Sequence, residues 1–193
     1  MNLNLKPHPL VAHWIPGITL CSIILFSVFN WNYKCLIISI APSTQGLAFS
    51  VFLLTIVSFI IGEALDAFRN SIIEGCLDKK KKNKIKWDFF CMGEKDEINN
   101  IDEWYFTWYA FSVNMCSAIL FGSLVSLSLF FAQVSYINIK WPFWSIIIFM
   151  IMIFLFGLFC FDAKNLRKEI KVSIDRLYHR KKMSVILGNN EKK

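Results

Sequence analysis

Three charged side chains stand at three-residue steps directly after a long apolar run: Glu63, Asp66 and Arg69. The preceding residues 35–62 contain no Lys, Arg, Asp or Glu. Ionisable groups at membrane depth are costly, and they mark ion paths, proton relays or charge-paired helix contacts. The spacing therefore suggests that these three residues line a polar inner mouth or clamp a partner helix at the bilayer boundary.

A helical wheel gives the competing interpretation. Glu63, Asp66, Asn70 and Glu74 share one arc, and Arg69 lies at its edge. This pattern also fits an amphipathic helix that has left the membrane and turns a solvated acidic face to water. In either case Asp66 and Arg69, at i and i+3, are within pairing range.

Asn114 is the most polar residue predicted well inside an apolar run, and Ser117 follows it by three residues. Polar and small residues in membrane helices usually mediate helix–helix contact, at about 0.6 to 2 kcal/mol per hydrogen bond. A pore lining is the second interpretation. In a symmetric oligomer, Asn114 with Ser117 would join copies through a ring of hydrogen bonds.

Patterns typical of enzymes are missing from the sequence. It contains no nucleophile elbow, HExxH, Walker loop or paired catalytic carboxylates. The six Cys show no CxxC and no metal-ligand spacing. We therefore expect no enzyme activity, no cofactor and no metal.

The elements that must position these residues are apolar helices. Of 193 residues, 55% are hydrophobic and only 18% charged, whereas soluble domains average about 25% charged. Because about 20 apolar residues cross a bilayer, four charge-free runs predict four spans in one all-α, polytopic membrane domain covering 1–193. We place them near 11–30, 46–62, 109–131 and 141–161.

The charges predict the orientation. With a cytoplasmic N-terminus, the inner segments are 1–10, 63–103 and 162–193, and they hold all Lys and Arg except Lys34 and Lys140. The positive-inside rule then favours a multi-pass protein of the cell membrane with both termini cytoplasmic.

Helices 2 and 4 are predicted to extend into the cytoplasm, because helical spacing of apolar residues continues to about Leu77 and through 162–179. The fourth extension is basic and amphipathic, with Arg167 and Lys168 as candidate lipid or partner contacts. The two extensions are expected to pack as a stalk, with Asp66 against Arg167 as the hypothesised pair.

The loop between them, within 63–103, contains Lys79, Lys80, Lys81 and Lys82, followed by Trp87. Lysines beside a membrane attract anionic lipid at about 1 kcal/mol per charge. A protein partner and nucleic acid are the alternatives; without an accompanying RNA- or DNA-binding motif, we expect no direct nucleic-acid contact.

In its length, four spans, cytoplasmic termini and charged extensions at 63–77 and 162–179, the chain resembles the small four-helix membrane subunits of bacterial anti-phage systems, such as the Kiwa membrane subunit. The resemblance is one of layout, and it carries over no functional residue. It implies an oligomer bound to a cytosolic, DNA-associated effector that responds to phage attack.

Two classes of function follow. In the first, the chain is a homo-oligomeric anchor or sensor in the membrane, and it presents its cytoplasmic helices to a soluble protein. In the second, the oligomer is a small channel or membrane-perturbing effector. Ion flux distinguishes the second from the first.

Overall fold

Four long helices make up nearly all of the chain that the structure describes, and no strand occurs in that part. The structure is a computed structural model, and it describes residues 10–28, 43–78, 98–99, 101, 103–136 and 143–190. Lys79, Lys80, Lys81, Lys82 and Trp87 lie outside the described residues.

Three of the four helices contain a wide π-helical segment. Helix α1 is Leu10–Trp14 (π) and Ile15–Val28; α2 is Thr44–Phe68, Arg69–Glu74 (π) and Gly75–Asp78; α3 is Glu103–Tyr109 (π) and Ala110–Tyr136; α4 is Phe143–Asn190. Helix α2 begins at a side-chain cap, because Ser43 accepts a hydrogen bond from the Gly46 backbone N–H at 3.1 Å.

All four helices are long and apolar enough to cross a membrane. The qualifying segments are Val11–Val28, Gln45–Glu74, Thr107–Leu129 and Ile147–Arg180. The prediction of an all-helical chain with four candidate spans is confirmed. The segment in α2 exposes most of its apolar side chains, among them Phe52, and the segment in α4 exposes many, among them Phe154. Such surfaces require lipid or another protein to cover them.

The helices alternate in direction, so that α1 and α3 begin at the end where the charged parts of α2 and α4 lie. We call this the charged end. Gly17 of α1 meets Ser58 of α2, and Gly62 meets His13, which is an antiparallel register. Helices α1 and α3 run parallel, with Ala12 bonded to Asn114.

Helices α1 and α2 cross at very short range. A Cβ built on Gly17 would lie 1.8 Å from the Ser58 carbonyl oxygen, and one on Gly62 would lie 2.0 Å from the His13 carbonyl oxygen. Only glycine permits this approach, which follows the membrane pattern of small residues four apart, here Ser58 and Gly62.

Apolar layers hold α1 and α3 between the outer two helices. One layer joins Leu20, Leu65 and Ala118 from α1, α2 and α3. The other centres on Met115, Ile119 and Met152. The central position of α3 brings its side chains into contact with all three neighbours.

The apolar stripe of the α4 extension is buried inside the chain. Its Ala163, Leu166, Ile170, Ile174 and Leu177 pack on the beginning of α3, with Ile101, Tyr105, Tyr109 and Val113. The expected stalk partner was α2, but the α2 contribution is limited to Ile73 at the edge of this cluster. The second half of α4 is thus fixed along α3, with most of its charged side chains outward.

Candidate functional site

Polar side chains from all four helices meet at the charged end. This polar cluster comprises His13, Glu63, Asp66, Arg69, Glu74, Tyr105, Tyr109, Ser112, Asn114, Asp162 and Arg167. Several members are almost fully buried, among them Arg69 at 2% exposure and Asn114 at 0%. Buried polar groups need partners, because an unpaired one costs about 1–3 kcal/mol.

The centre of the cluster is a three-residue contact between α2, α3 and α4. The Tyr109 hydroxyl donates to Glu74 Oε1 at 2.5 Å, and the other Glu74 oxygen forms an ion pair with Arg167. Arg167 also donates to the Tyr109 oxygen at 3.2 Å. A buried carboxylate shared by a phenol and a guanidinium ties the charged ends of three helices together.

Arg69 is the most deeply buried charge in the cluster. Its Nη2 lies 2.9 Å from Asp66 Oδ1, which is the i, i+3 pairing that the sequence predicts. Its guanidinium carbon lies 5.5 Å from the Tyr105 ring centre and 6.0 Å from that of Tyr109, within cation–π range. Among the described residues, Nε and Nη1 of Arg69 have no hydrogen-bond acceptor.

Asn114 connects α3 to both α1 and α2. Its amide donates to the Ala12 carbonyl at 2.8 Å and to Asp66 Oδ1 at 3.2 Å. Ser117 is buried and donates to the Val113 carbonyl of its own helix at 3.0 Å. Both side chains are engaged within one chain, and their proposed contact between copies stays a prediction.

Two further pairs complete the cluster. His13 Nδ1 lies 3.2 Å from Glu63 Oε1, which joins α1 to α2. Ser112 donates to Asp162, which joins α3 to α4. Each of the four helices is therefore linked to a neighbour through polar side chains at this level.

The hypothesised pair of Asp66 with Arg167 is corrected by these contacts. Arg167 is paired with Glu74, whereas Asp66 contacts Arg69 and Asn114. The reason lies in Arg69–Glu74, which is π-helical. A π turn holds one residue more than an α turn, so the rotation away from an α-helical wheel builds up along the segment and reaches roughly 100° by its last residue, Glu74.

The same rotation explains why the acidic arc is only partly exposed. Glu63 and Asn70 are exposed, Asp66 is half-buried, and Glu74 is buried at 8% exposure. The wheel, drawn with a constant α-helical period, had placed all four on one face. Glu74 instead turns toward α3 and α4.

Tyr105 shows the electrostatic character of the cluster. Burial raises the pKa of its phenol to about 12, and the Glu74 carboxylate adds to the increase. Arg69 and Arg167 act in the opposite direction. The hydroxyl therefore remains protonated at physiological pH and can donate a hydrogen bond.

A basic groove opens beside the cluster, between α3 and α4. Its volume is about 800 Å³. Lys164, Arg167, Lys168 and Lys171 border it, so both predicted contact residues of α4 lie there. Cys116 and Cys160 also line it, with their sulfur atoms 3.1 Å apart. Among the described residues, no group of three His, Cys, Asp or Glu could hold a metal ion.

Sequence reasoning singled out Glu63, Asp66, Arg69, Asn114 and Arg167, and the structure brings these together. It missed Tyr109, Glu74 and Asp162 as contact residues, because their partners lie on other helices. The close crossing that brings His13 near Glu63 could have been predicted from the four-residue spacing of the small residues Ser58 and Gly62.

Comparison with protein families, curated proteins and solved structures gives no match.

Proposed function

We propose that the chain is a non-enzymatic, homo-oligomeric anchor and sensor subunit of the cell membrane, and that it presents its cytoplasmic helix ends to a soluble protein. The charge distribution supports this orientation, because only Lys34 and Lys140 among 21 Lys and Arg lie outside the inner segments. The charged end is then the cytoplasmic end.

The observation that carries the proposal is the contact among Glu74, Tyr109 and Arg167. It connects the cytoplasmic end of α2 to that of α4 through α3. Removing one member of a buried ion pair leaves an uncompensated charge, at a cost of about 3–5 kcal/mol. Because separating the two charges inside the protein is costly, the contact is suited to hold two helix ends in one arrangement until a stimulus changes it.

The distal part of α4 is the proposed partner surface. Its apolar stripe is covered by α3, whereas Arg176, Arg180 and Lys182 are exposed. A rigid helix with an outward basic face suits a soluble partner with an acidic surface. A role in anti-phage defence rests on the resemblance in layout alone.

The first experiment is extraction in a mild detergent followed by native mass measurement. We expect an oligomer with a stoichiometric soluble companion. The variant with Arg176→Glu and Lys182→Glu should lose the companion and keep the oligomer. A lone monomer without a companion contradicts the proposal, and ion flux through liposomes that contain the pure protein supports the channel class instead.

The second experiment tests the coupling of α2 to α4. Glu74→Gln and Arg167→Gln should each weaken retention of the companion, and the exchange of Glu74→Arg with Arg167→Glu should restore part of it. Glu169→Gln is the matched control for charge, because Glu169 is an exposed carboxylate of α4, the helix that carries Arg167. If Glu74→Gln behaves as Glu169→Gln does, the contact does not control the α4 surface.

A further inference from the structure

The basic groove has the two surfaces that a phospholipid needs. Its floor is apolar, formed by Ile73, Val113, Cys116 and Ala163 from three helices. Its border carries four cations, and none of the described residues that line it is acidic. A volume of about 800 Å³ is in the usual range for small-molecule sites, about 300–1,000 Å³.

The four cations of the groove meet no carboxylate among the described residues that line it. Glu74 lies behind the groove and is already paired with Arg167. Lys164 and Lys168 are exposed, and no carboxylate in the described part of the chain forms a salt bridge with either. An anion that enters the groove thus meets two exposed lysines that form no salt bridge within the described part of the chain.

The depth of the groove matches the headgroup layer. The charge-free run of α4 ends at Phe161, and Lys164 and Lys168 follow by three and seven residues. At 1.5 Å per residue they lie about 5 and 10 Å beyond the hydrocarbon edge. The headgroup layer on each side of a bilayer is about 5–8 Å thick, so Lys164 lies within it, and Lys168 lies a few Å beyond it, from where its long side chain can reach back.

We infer that the basic groove binds one anionic phospholipid, whose phosphate lies between Lys164 and Lys168 and whose acyl chain lies on the Val113–Ala163 floor. This site requires only that the four helices cross a bilayer. It does not depend on the soluble partner proposed for Arg176, Arg180 and Lys182. The recognised chemistry is a headgroup with a net negative charge, in which no ammonium group offsets the phosphate, joined to a hydrocarbon chain.

The test is native mass spectrometry of the full chain in detergent with equal amounts of phosphatidylglycerol and phosphatidylcholine. We expect one retained phosphatidylglycerol per chain. Lys164→Gln with Lys168→Gln should weaken its retention by roughly 30-fold, from about 1 kcal/mol for each of two juxtamembrane charges. Arg176→Gln with Lys182→Gln removes the same charge outside the groove and should leave retention unchanged.

A second variant tests the floor without altering charge. Cys160 is exposed and lines the groove, so Cys160→Trp should fill the space for the acyl chain and reduce retention. Leu158→Trp, on the exposed surface of α4 outside the groove, is its control. Unchanged thermal unfolding of all variants shows that they are folded.

Three results would overturn the inference. Equal retention of both lipids shows that the groove does not recognise the net negative charge of the headgroup. Displacement of the lipid by inorganic phosphate at comparable concentration assigns the groove to a free anion. Retention that the Lys164 and Lys168 changes leave intact, while capture of an acidic protein is lost, assigns the groove to a protein partner.

Discussion

The close crossing of α1 and α2 gives the sharpest prediction about stability. Gly17→Ala and Gly62→Ala each add a single methyl group. In Gly17→Ala that group would lie 1.8 Å from the Ser58 carbonyl oxygen, about 1.6 Å short of the 3.4 Å at which ordinary contact begins. Since the obstructing atom belongs to the backbone, it cannot rotate away, and the two helices must separate.

Two opposing effects determine the magnitude. Alanine is favoured over glycine in a helix by about 1 kcal/mol, whereas overpacking costs about 1–3 kcal/mol and occasionally more. Separation of α1 would also lengthen the hydrogen bond from Asn114 to the Ala12 carbonyl. Because the clash is with backbone, we expect a cost in the upper part of the overpacking range, so each substitution should lower the free energy of unfolding by a net of about 1–2 kcal/mol.

Reversible unfolding in detergent micelles measures the difference. Gly157→Ala is the matched control, because a Cβ at Gly157 meets nothing within 4 Å. It should be neutral or stabilising by up to about 1 kcal/mol, from helix propensity alone. If Gly62→Ala proves as stable as Gly157→Ala, the helices do not cross at these residues, and the placement of His13 beside Glu63 fails with it.

Three further predictions concern α3. A thiol-specific oxidant should form a disulfide between Cys116 and Cys160 within one chain, because their sulfur atoms are 3.1 Å apart. Peptide mapping should recover the linked peptides. If no such disulfide forms, the register of α3 against α4 is wrong. Asn114→Ala should lower the unfolding free energy by about 1–3 kcal/mol, whereas Ser128→Ala, whose hydroxyl bonds only its own helix, should be nearly neutral. Burial raises the pKa of the Tyr105 phenol from 10.0 in the unfolded chain to about 12 in the folded chain. The free energy of unfolding therefore falls as pH rises between these values. In pH-dependent unfolding, Tyr105→Phe should reduce that fall.

The helices could be predicted from the sequence because each needs only local information. The absence of charge in 141–161 and the lysine imbalance are one-dimensional signals, and the hydrocarbon thickness converts them to spans. The Asp66–Arg69 pairing was predictable for the same reason, since both residues lie on one helix.

Contacts between helices were not predictable, because they depend on register and rotation. From the sequence, several acidic residues could have paired with Arg167. Only the π-helical segment turns Glu74 toward it. The Asn114 amide donates to the backbone carbonyl of Ala12. Since every residue has such a carbonyl, the residue types in the sequence do not identify this acceptor. The α4 stripe is covered by Ile101, Tyr105, Tyr109 and Val113, and no local pattern in the sequence pairs these residues with α4.

At the π-helical segment Arg69–Glu74, the direction that the end of α2 faces can change while the length of the helix stays almost the same. A chain shortened by one residue there could close into a regular α-helix and lose only about 1.5 Å of length. The last turn of α2 would end at almost the same depth, but its side chains would face away from α3. Homologous chains, if they differ by a single insertion or deletion at this turn, would therefore keep the scaffold while disconnecting the α2 end from the α4 end.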